Sequence, residues 1–154
     1  MNKPKETPEG GKIKREYPDR PIVGVGAVII DRGRVLLVKR GSPPMLGQWT
    51  IPGGVVELGE TLRSAAEREA QEETGLAVQV GEVIEVIDRI LPGDDGRTQF
   101  HYVLVDFLCS VVQGEARAGS DAADVAWAAE NELEKFKLEK KALEVIRKAV
   151  AQHC

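Results

Sequence analysis

The chain is poor in cysteine: of its 154 residues only Cys109 and Cys154 carry thiols. Two cysteines cannot build a disulfide framework, nor a zinc site by themselves. Cys109 falls in an apolar strand pattern and is expected in the core. The N-terminus lacks the apolar segment of a signal peptide, and no stretch approaches the roughly 20 apolar residues that span a membrane. A cytoplasmic protein without a membrane partner is the expectation. There is no long basic run, and the formal charge is −4. A nucleic-acid polymer is therefore excluded as the expected partner. Internal repeats and interdomain linkers are absent as well. One domain is expected over 17–154, preceded by a mobile arm over 1–16 that is rich in Lys, Glu, Gly and Pro and has almost nothing to bury.

What is present is a hydrophobic fraction of 42% and a charged fraction of 30%, ordinary for a globular domain. Residues 22–30 and 35–39 read as strands joined by the turn Asp31-Arg32-Gly33-Arg34. Their apolar runs do not alternate, which fits a sheet covered on both faces. Gly24 and Gly26 weaken the first strand and signal a close approach to its backbone. Residues 40–50, with Gly41, Pro43, Pro44 and Gly47, form a loop. Strands are expected at 77–90, 100–111 and 125–128, with a polar turn at 91–97 and a loop at 113–124. Asp106 interrupts one face of the longest strand and is expected at a polar edge. A terminal helix over 138–152 carries the apolar stripe Ala142, Leu143, Ile146, Ala149 and Val150. The fold class is α/β (α+β), a mixed sheet between helices.

The stretch 53–76 is chemically the densest. Thr61 is a good N-cap, Gly75 suits the left-handed position that ends a helix, and the residues between are mostly helix formers. With about 100° per residue, Leu62, Ala65, Ala66 and Ala70 form an apolar stripe. Glu69 and Glu73 lie within about 20° of the same line, with Glu72 at its edge. Ser64, Glu67 and Gln71 form the solvated back. Acids at i, i+3 and i+4 repel one another, more so when partly buried. A divalent cation resolves that conflict, because Mg²⁺ or Mn²⁺ takes hard oxygen ligands beside a phosphate substrate. Arg68 can hold a neighbouring carboxylate through a bidentate pair.

Gly54-x5-Glu60-x7-Arg68-Glu69-Ala70-Gln71-Glu72-Glu73-Thr74-Gly75-Leu76 resembles the signature of the Nudix hydrolases. The one soft departure is Ala70, where that signature prefers a bulkier aliphatic residue. The resemblance implies an α/β/α sandwich and Mg²⁺-dependent hydrolysis of a nucleoside diphosphate derivative, with Mn²⁺ as a substitute ion. It implies Glu69, Glu72 and Glu73 as metal ligands, joined by the backbone carbonyl of Gly53 in a glycine-rich loop. Arg68 would orient Glu69. Glu60 would have an orienting role, with a carboxylate at the helix dipole as the equal alternative. Glu57 and Glu67 are expected to be solvated. In that family the catalytic base is a signature glutamate in some members and an acid in the loop before the last strand in others; within that loop Asp121 comes ahead of Asp124 and Glu115. The plain alternative for those acids is turn capping.

Pro92, together with the runs YPDRPIVGVGAV and FHYVLVDFL, resembles the ADP-ribose pyrophosphatase branch of that family. The implied reaction yields AMP and ribose 5-phosphate. Tyr17, Trp49, Phe100 and Tyr102 are candidates for contacting the base, and Arg40 and Arg97 for the phosphates. Two other functions stay open: a pyrophosphohydrolase of nucleoside triphosphates or dinucleoside polyphosphates, and a silent module that senses a nucleotide. A homodimer is a further expectation, since small Nudix enzymes often pair.

Overall fold

The long unalternating apolar run near the start of the chain becomes the middle of a mixed seven-stranded sheet. In the computed structural model, which describes residues 14–43, 45–119 and 121–153, strand β1 spans Ile22–Asp31 and β2 spans Arg34–Arg40. The turn between them takes positive φ at both Arg32 and Gly33, the geometry that matches the twist of a tight hairpin. The two strands pair only next to that turn, at Ile30↔Val35 and Asp31↔Arg34. Beyond it they part. β2 pairs antiparallel with β7 (Ala122–Ala129) and with the two-residue β3 (Trp49–Thr50). β1 pairs antiparallel with β4 (Gly53–Val55) and parallel with β6 (Thr98–Gln113). β6 in turn carries the edge strand β5 (Ala77–Pro92).

Each face of the sheet is closed by one helix. On one side Ala65, Ala66 and Ala70 of α1 (Leu62–Thr74) pack with Val25, Ala27, Ile29, Val105 and Phe107. On the other, Val145, Ile146 and Ala149 of α2 (Lys140–His153) pack with Val28, Ile30, Val35 and Leu37. A 3-10 segment, Glu130–Phe136, leads from β7 into α2 and buries Leu133. The mixed sheet between helices is as expected, and so is Cys109, which is buried with its thiol pushed up to about 12 by burial. Among the described residues no helix is long and apolar enough to cross a membrane.

Several local expectations need correcting. The glycine pair after Pro52 is a strand, β4, rather than a loop. β7 starts at Ala122, inside the expected 113–124 loop, because β2 offers it a partner as far as Arg40. Pro92 is the last paired residue of β5, opposite Thr98, where the sequence suggested a turn. Leu62 is 36% exposed, so the inward stripe of α1 begins only at Ala65. Asp106 is buried at 5% exposure instead of lying at a polar edge. It stands opposite Gly26 in the middle of the β1–β6 ladder, where the sheet has no rim. Residues 1–13 of the expected mobile arm, and Cys154, lie outside the described residues. Near the end of that arm, Glu16 accepts a hydrogen bond from Gln99 at 2.9 Å.

Candidate active site

Helix α1 is fixed at both ends by its own sequence. The Thr61 hydroxyl accepts from the Ser64 N–H at 3.1 Å, and Gly75, at φ 75°, donates its N–H to the Gln71 carbonyl. Between these caps the helix points its acids toward β4. Gly54 lets them in: a Cβ there would lie 2.4 Å from the Glu69 carboxyl carbon. Gly53 is equally constrained on the β1 side, where a Cβ would meet the Val25 carbonyl oxygen at 2.2 Å. The two glycines thus let one strand lie against β1 and the end of α1 at once.

Arg68 organises the group. Its guanidinium donates to both oxygens of Glu60 (2.7 and 2.9 Å), to Glu69 Oε1 (2.7 Å), to Glu72 Oε2 (3.2 Å) and to the Val55 carbonyl (3.0 Å). The expected orientation of Glu69 by Arg68 is therefore present. Glu60 acts the same way, with its Oε1 also accepting from the Glu57 N–H at 3.1 Å. The Arg68 hydrogen bond holds its carboxyl below the usual range. The helix-dipole alternative for Glu60 loses its ground, since the first turn of α1 carries no acid. Glu57 and Glu67 are exposed, and Glu57 borders the cleft described below.

Glu73 is the acid held most deeply. It accepts from the Gly53 N–H at 3.2 Å. Burial pushes its carboxyl up to about 7; the Gly53 N–H and Arg40 oppose that rise, while Glu69 and Asp121 add to it. Burial also raises Glu69, against the pull of Arg68. Two half-buried carboxylates side by side form a hard anionic donor set of the kind magnesium and manganese accept. Among the described residues no three His, Cys, Asp or Glu side chains converge tightly enough to cage an ion. Glu69 and Glu72 are instead turned to Arg68, and Glu73 to the Gly53 N–H. The residue types fit such an ion, and the Gly54 cradle leaves them room.

Two cavities meet at this group. An open cleft of about 900 Å³ is lined by Glu69, Glu72 and Glu73 together with Lys39, Arg40 and Asp121. Asp121 is held by its main-chain carbonyl, which accepts from the Gly41 N–H at 2.8 Å. Asp124 instead bonds the N–H of Val125 at 2.8 Å, a local turn contact, and neither it nor Glu115 lines the cleft. A smaller cavity of about 160 Å³ lies on the α2 side of the sheet, walled by Trp49, Tyr102 and Leu104. Gly53, Gly54, Val55, Arg40 and Arg15 border both.

Of the sequence candidates, Arg40, Trp49 and Tyr102 are therefore brought to the site. Phe100 only stacks on Tyr102, at 6.4 Å between ring centroids, and lines neither cavity. Tyr17, Arg97 and Pro92 are not brought in either. They gather at the β5–β6 end, with the Arg97 guanidinium 4.4 Å from the Tyr17 ring centroid. A Cβ on Gly93, next to Pro92, would strike the Tyr17 hydroxyl at 2.4 Å. Sequence reasoning missed Arg15, which it assigned to the arm, and Asp106, Arg89 and Glu139, which border the smaller cavity. Only Asp106 left a signal, as the one acid in the apolar pattern of 100–111.

Comparison with known proteins agrees with this geometry. The family profile described as NUDIX domain matches residues 20–149. An ADP-ribose pyrophosphatase of Methanocaldococcus jannaschii is 37% identical over 116 residues, 75% of this chain. The aligned part is just under two thirds, 66%, of that protein's own length. A putative 8-oxo-dGTP diphosphatase 2 of Mycobacterium tuberculosis is 40% identical over 114 residues, 73% of this chain and 75% of its own. Among solved structures, a MutT NUDIX hydrolase from Burkholderia pseudomallei superposes with a TM-score of 0.69 at 30% identity, covering 88% of this chain and all of its own.

Proposed function

The chain belongs to the Nudix family, and from that premise we propose that it hydrolyses ADP-ribose to AMP and ribose 5-phosphate. One observation carries the hydrolase reading: Glu69, Glu72 and Glu73 of α1 are gathered beside Gly53–Val55 at the meeting of two cavities. The choice of ADP-ribose is supported by the archaeal relative's name and by the shape of the site. The cleft that would take the diphosphate is polar, and the adjoining cavity that would take a nucleoside is aromatic.

Glu69, Glu73 and Glu72 would hold Mg²⁺, with the Gly53 carbonyl beside them. The bound ion would neutralise phosphate charge and lower the pKa of a coordinated water. The chain's own residues do the rest. Arg68 keeps Glu69 and Glu72 from splaying. Arg40 and Arg15 bring positive charge to the common rim of the two cavities, where a diphosphate bridge would lie. Asp121, which lines the open cleft with Glu73 and acts on its charge, is the proposed base for the attacking water. Asp121→Asn is expected to lower kcat at least about 100-fold, the smaller end of general-base effects. Its KM should stay near wild type. A drop confined to KM would remove Asp121 from the chemistry.

The deciding experiment is a substrate panel with and without Mg²⁺, scored for AMP against inorganic pyrophosphate. AMP from ADP-ribose, dependent on the ion, is the expected result. Pyrophosphate released from nucleoside triphosphates instead would favour the second reading, which the mycobacterial relative's name supports. Binding of ADP-ribose with no turnover in either wild type or Glu73→Gln would leave a sensing module. A homodimer belongs to the same proposal. Its support is the apolar, exposed Val83, Val86 and Ile90 on the edge strand β5. A monomer in sedimentation at micromolar concentration would remove it.

A further inference from the structure

The smaller cavity contains a carboxyl group for which the diphosphate chemistry has no use. Asp106 is almost fully buried, yet its residue lines the cavity together with Tyr102 and Leu104, its neighbours along the same face of β6. The space it occupies is made by Gly26 on β1, where a Cβ would come within 2.1 Å of Asp106 Oδ1 and 2.8 Å of the Ile51 side chain. Among the described residues nothing hydrogen-bonds to this carboxyl. Lys141 of α2, the cation whose charge acts on Asp106, bonds Glu85 at 2.9 Å, and Arg89 of β5, at the same cavity, is forked onto Glu139. Burial, with Glu85 adding to it, pushes the Asp106 carboxyl up to about 6. A carboxylate in an aromatic cavity without a donor of its own is an acceptor for a donor carried in by a ligand.

We propose that Asp106 is a specificity-determining residue that accepts a hydrogen bond from the exocyclic amino group of the substrate's nucleobase. The cavity then selects bases that carry such a group. This deepens the preceding reading and rests on it, because the nucleoside end of the substrate must enter here. The walls suit a planar ring: Trp49 and Tyr102 supply aromatic surface, and Trp49 is itself braced edge-on by Phe136 at 5.1 Å. The Gly53–Val55 strand, bordering both cavities, puts such a ring next to the acids of α1. A site that accepts from a ligand N–H discriminates against the analogue lacking it, because the buried acceptor is then left unpaired.

The test compares kcat/KM for an adenine nucleotide with its analogue in which hydrogen replaces the 6-amino group. It is run on both the ADP-ribose and the triphosphate scaffold, for wild type, Asp106→Leu and Asp106→Asn. Wild type is expected to favour the amino-bearing base at least about 10-fold, near the low end of what leaving a buried acceptor unpaired costs. Asp106→Leu should erase the preference, mainly through KM of the adenine substrate. Asp106→Asn, which keeps a carbonyl acceptor, should restore part of it. An equal preference in wild type and Asp106→Leu, or a loss that falls alike on both substrates, overturns the proposal. So does a change seen only with 2′- or 3′-deoxyribose analogues, since a sugar hydroxyl would then be what is read. If neither scaffold is cleaved, the functional reading fails by itself. Calorimetric binding of AMP against the amine-free monophosphate then decides on Asp106 by the same ratio.

Discussion

Arg68 is the residue on which most of the acid group depends, because one guanidinium serves three carboxylates and a carbonyl. A lysine at that position has no planar fork and cannot serve them together. Arg68→Lys is therefore expected to lower kcat/KM roughly 10- to 100-fold, the usual effect of losing an orienting partner at a metal site. A full kinetic profile of the variant checks it. Asp106 gives a prediction of a different kind. An aspartate in the unfolded chain titrates near 3.9, whereas this one is raised to about 6. Between those values the unfolded state gives up its proton first, so the Asp106 contribution to stability falls as pH rises through the window and levels off above it. Asp106→Asn should cancel that slope and gain on the order of 1–3 kcal/mol at pH 7. Denaturant melts at pH 4, 5, 6 and 7, compared between the two proteins, read it directly. The carboxylates of α1 were legible from helical spacing alone. The burial of Asp106 was not, because it depends on Gly26, a residue far away in sequence that only the parallel ladder brings opposite.

Among the elements, β4 is the one whose sequence misleads. Two glycines after a proline read as a loop, and no propensity favours a strand there. They are a strand because β1 leaves its edge open where β2 turns away to β7, and only residues without a Cβ can lie between β1 and the acids of α1. Gly53→Ala would set a methyl group against the Val25 carbonyl, a backbone atom that cannot rotate aside. A loss of about 1–3 kcal/mol is expected, together with most of the turnover, and thermal melts beside activity assays would show both. The helix, by contrast, was legible to the residue at its ends. Thr61 and Gly75 carry the cap chemistry themselves, so local sequence decided the outcome. Leu62 fell outside the stripe, and the first-turn residue that reaches the sheet is its neighbour Arg63, which donates to the Val80 carbonyl at 2.9 Å.

The molecule as a whole is two apolar cores on either side of one sheet, with the two cavities meeting where β4 lies along β1. Since the acids of α1 repel one another in the free protein, an ion that binds them should also stabilise the fold. Adding millimolar Mg²⁺ is expected to raise the melting temperature of wild type by several degrees, as about 1–2 kcal/mol of binding linkage would in a chain of this size. Glu73→Gln should lose most of that response while melting no lower than wild type without the ion. Calorimetry with and without a chelator separates the two effects. The sheet order has one more consequence, for the history of the chain and not its chemistry. β1 is synthesised well before its parallel partner β6, which leaves the ribosome only after α1 and β5 are complete. Until then the most apolar strand is paired along one edge only, by the short hairpin to β2 and by the three-residue β4, and its other edge stays open to wrong partners, so folding should be slow and sensitive to crowding by other nascent chains.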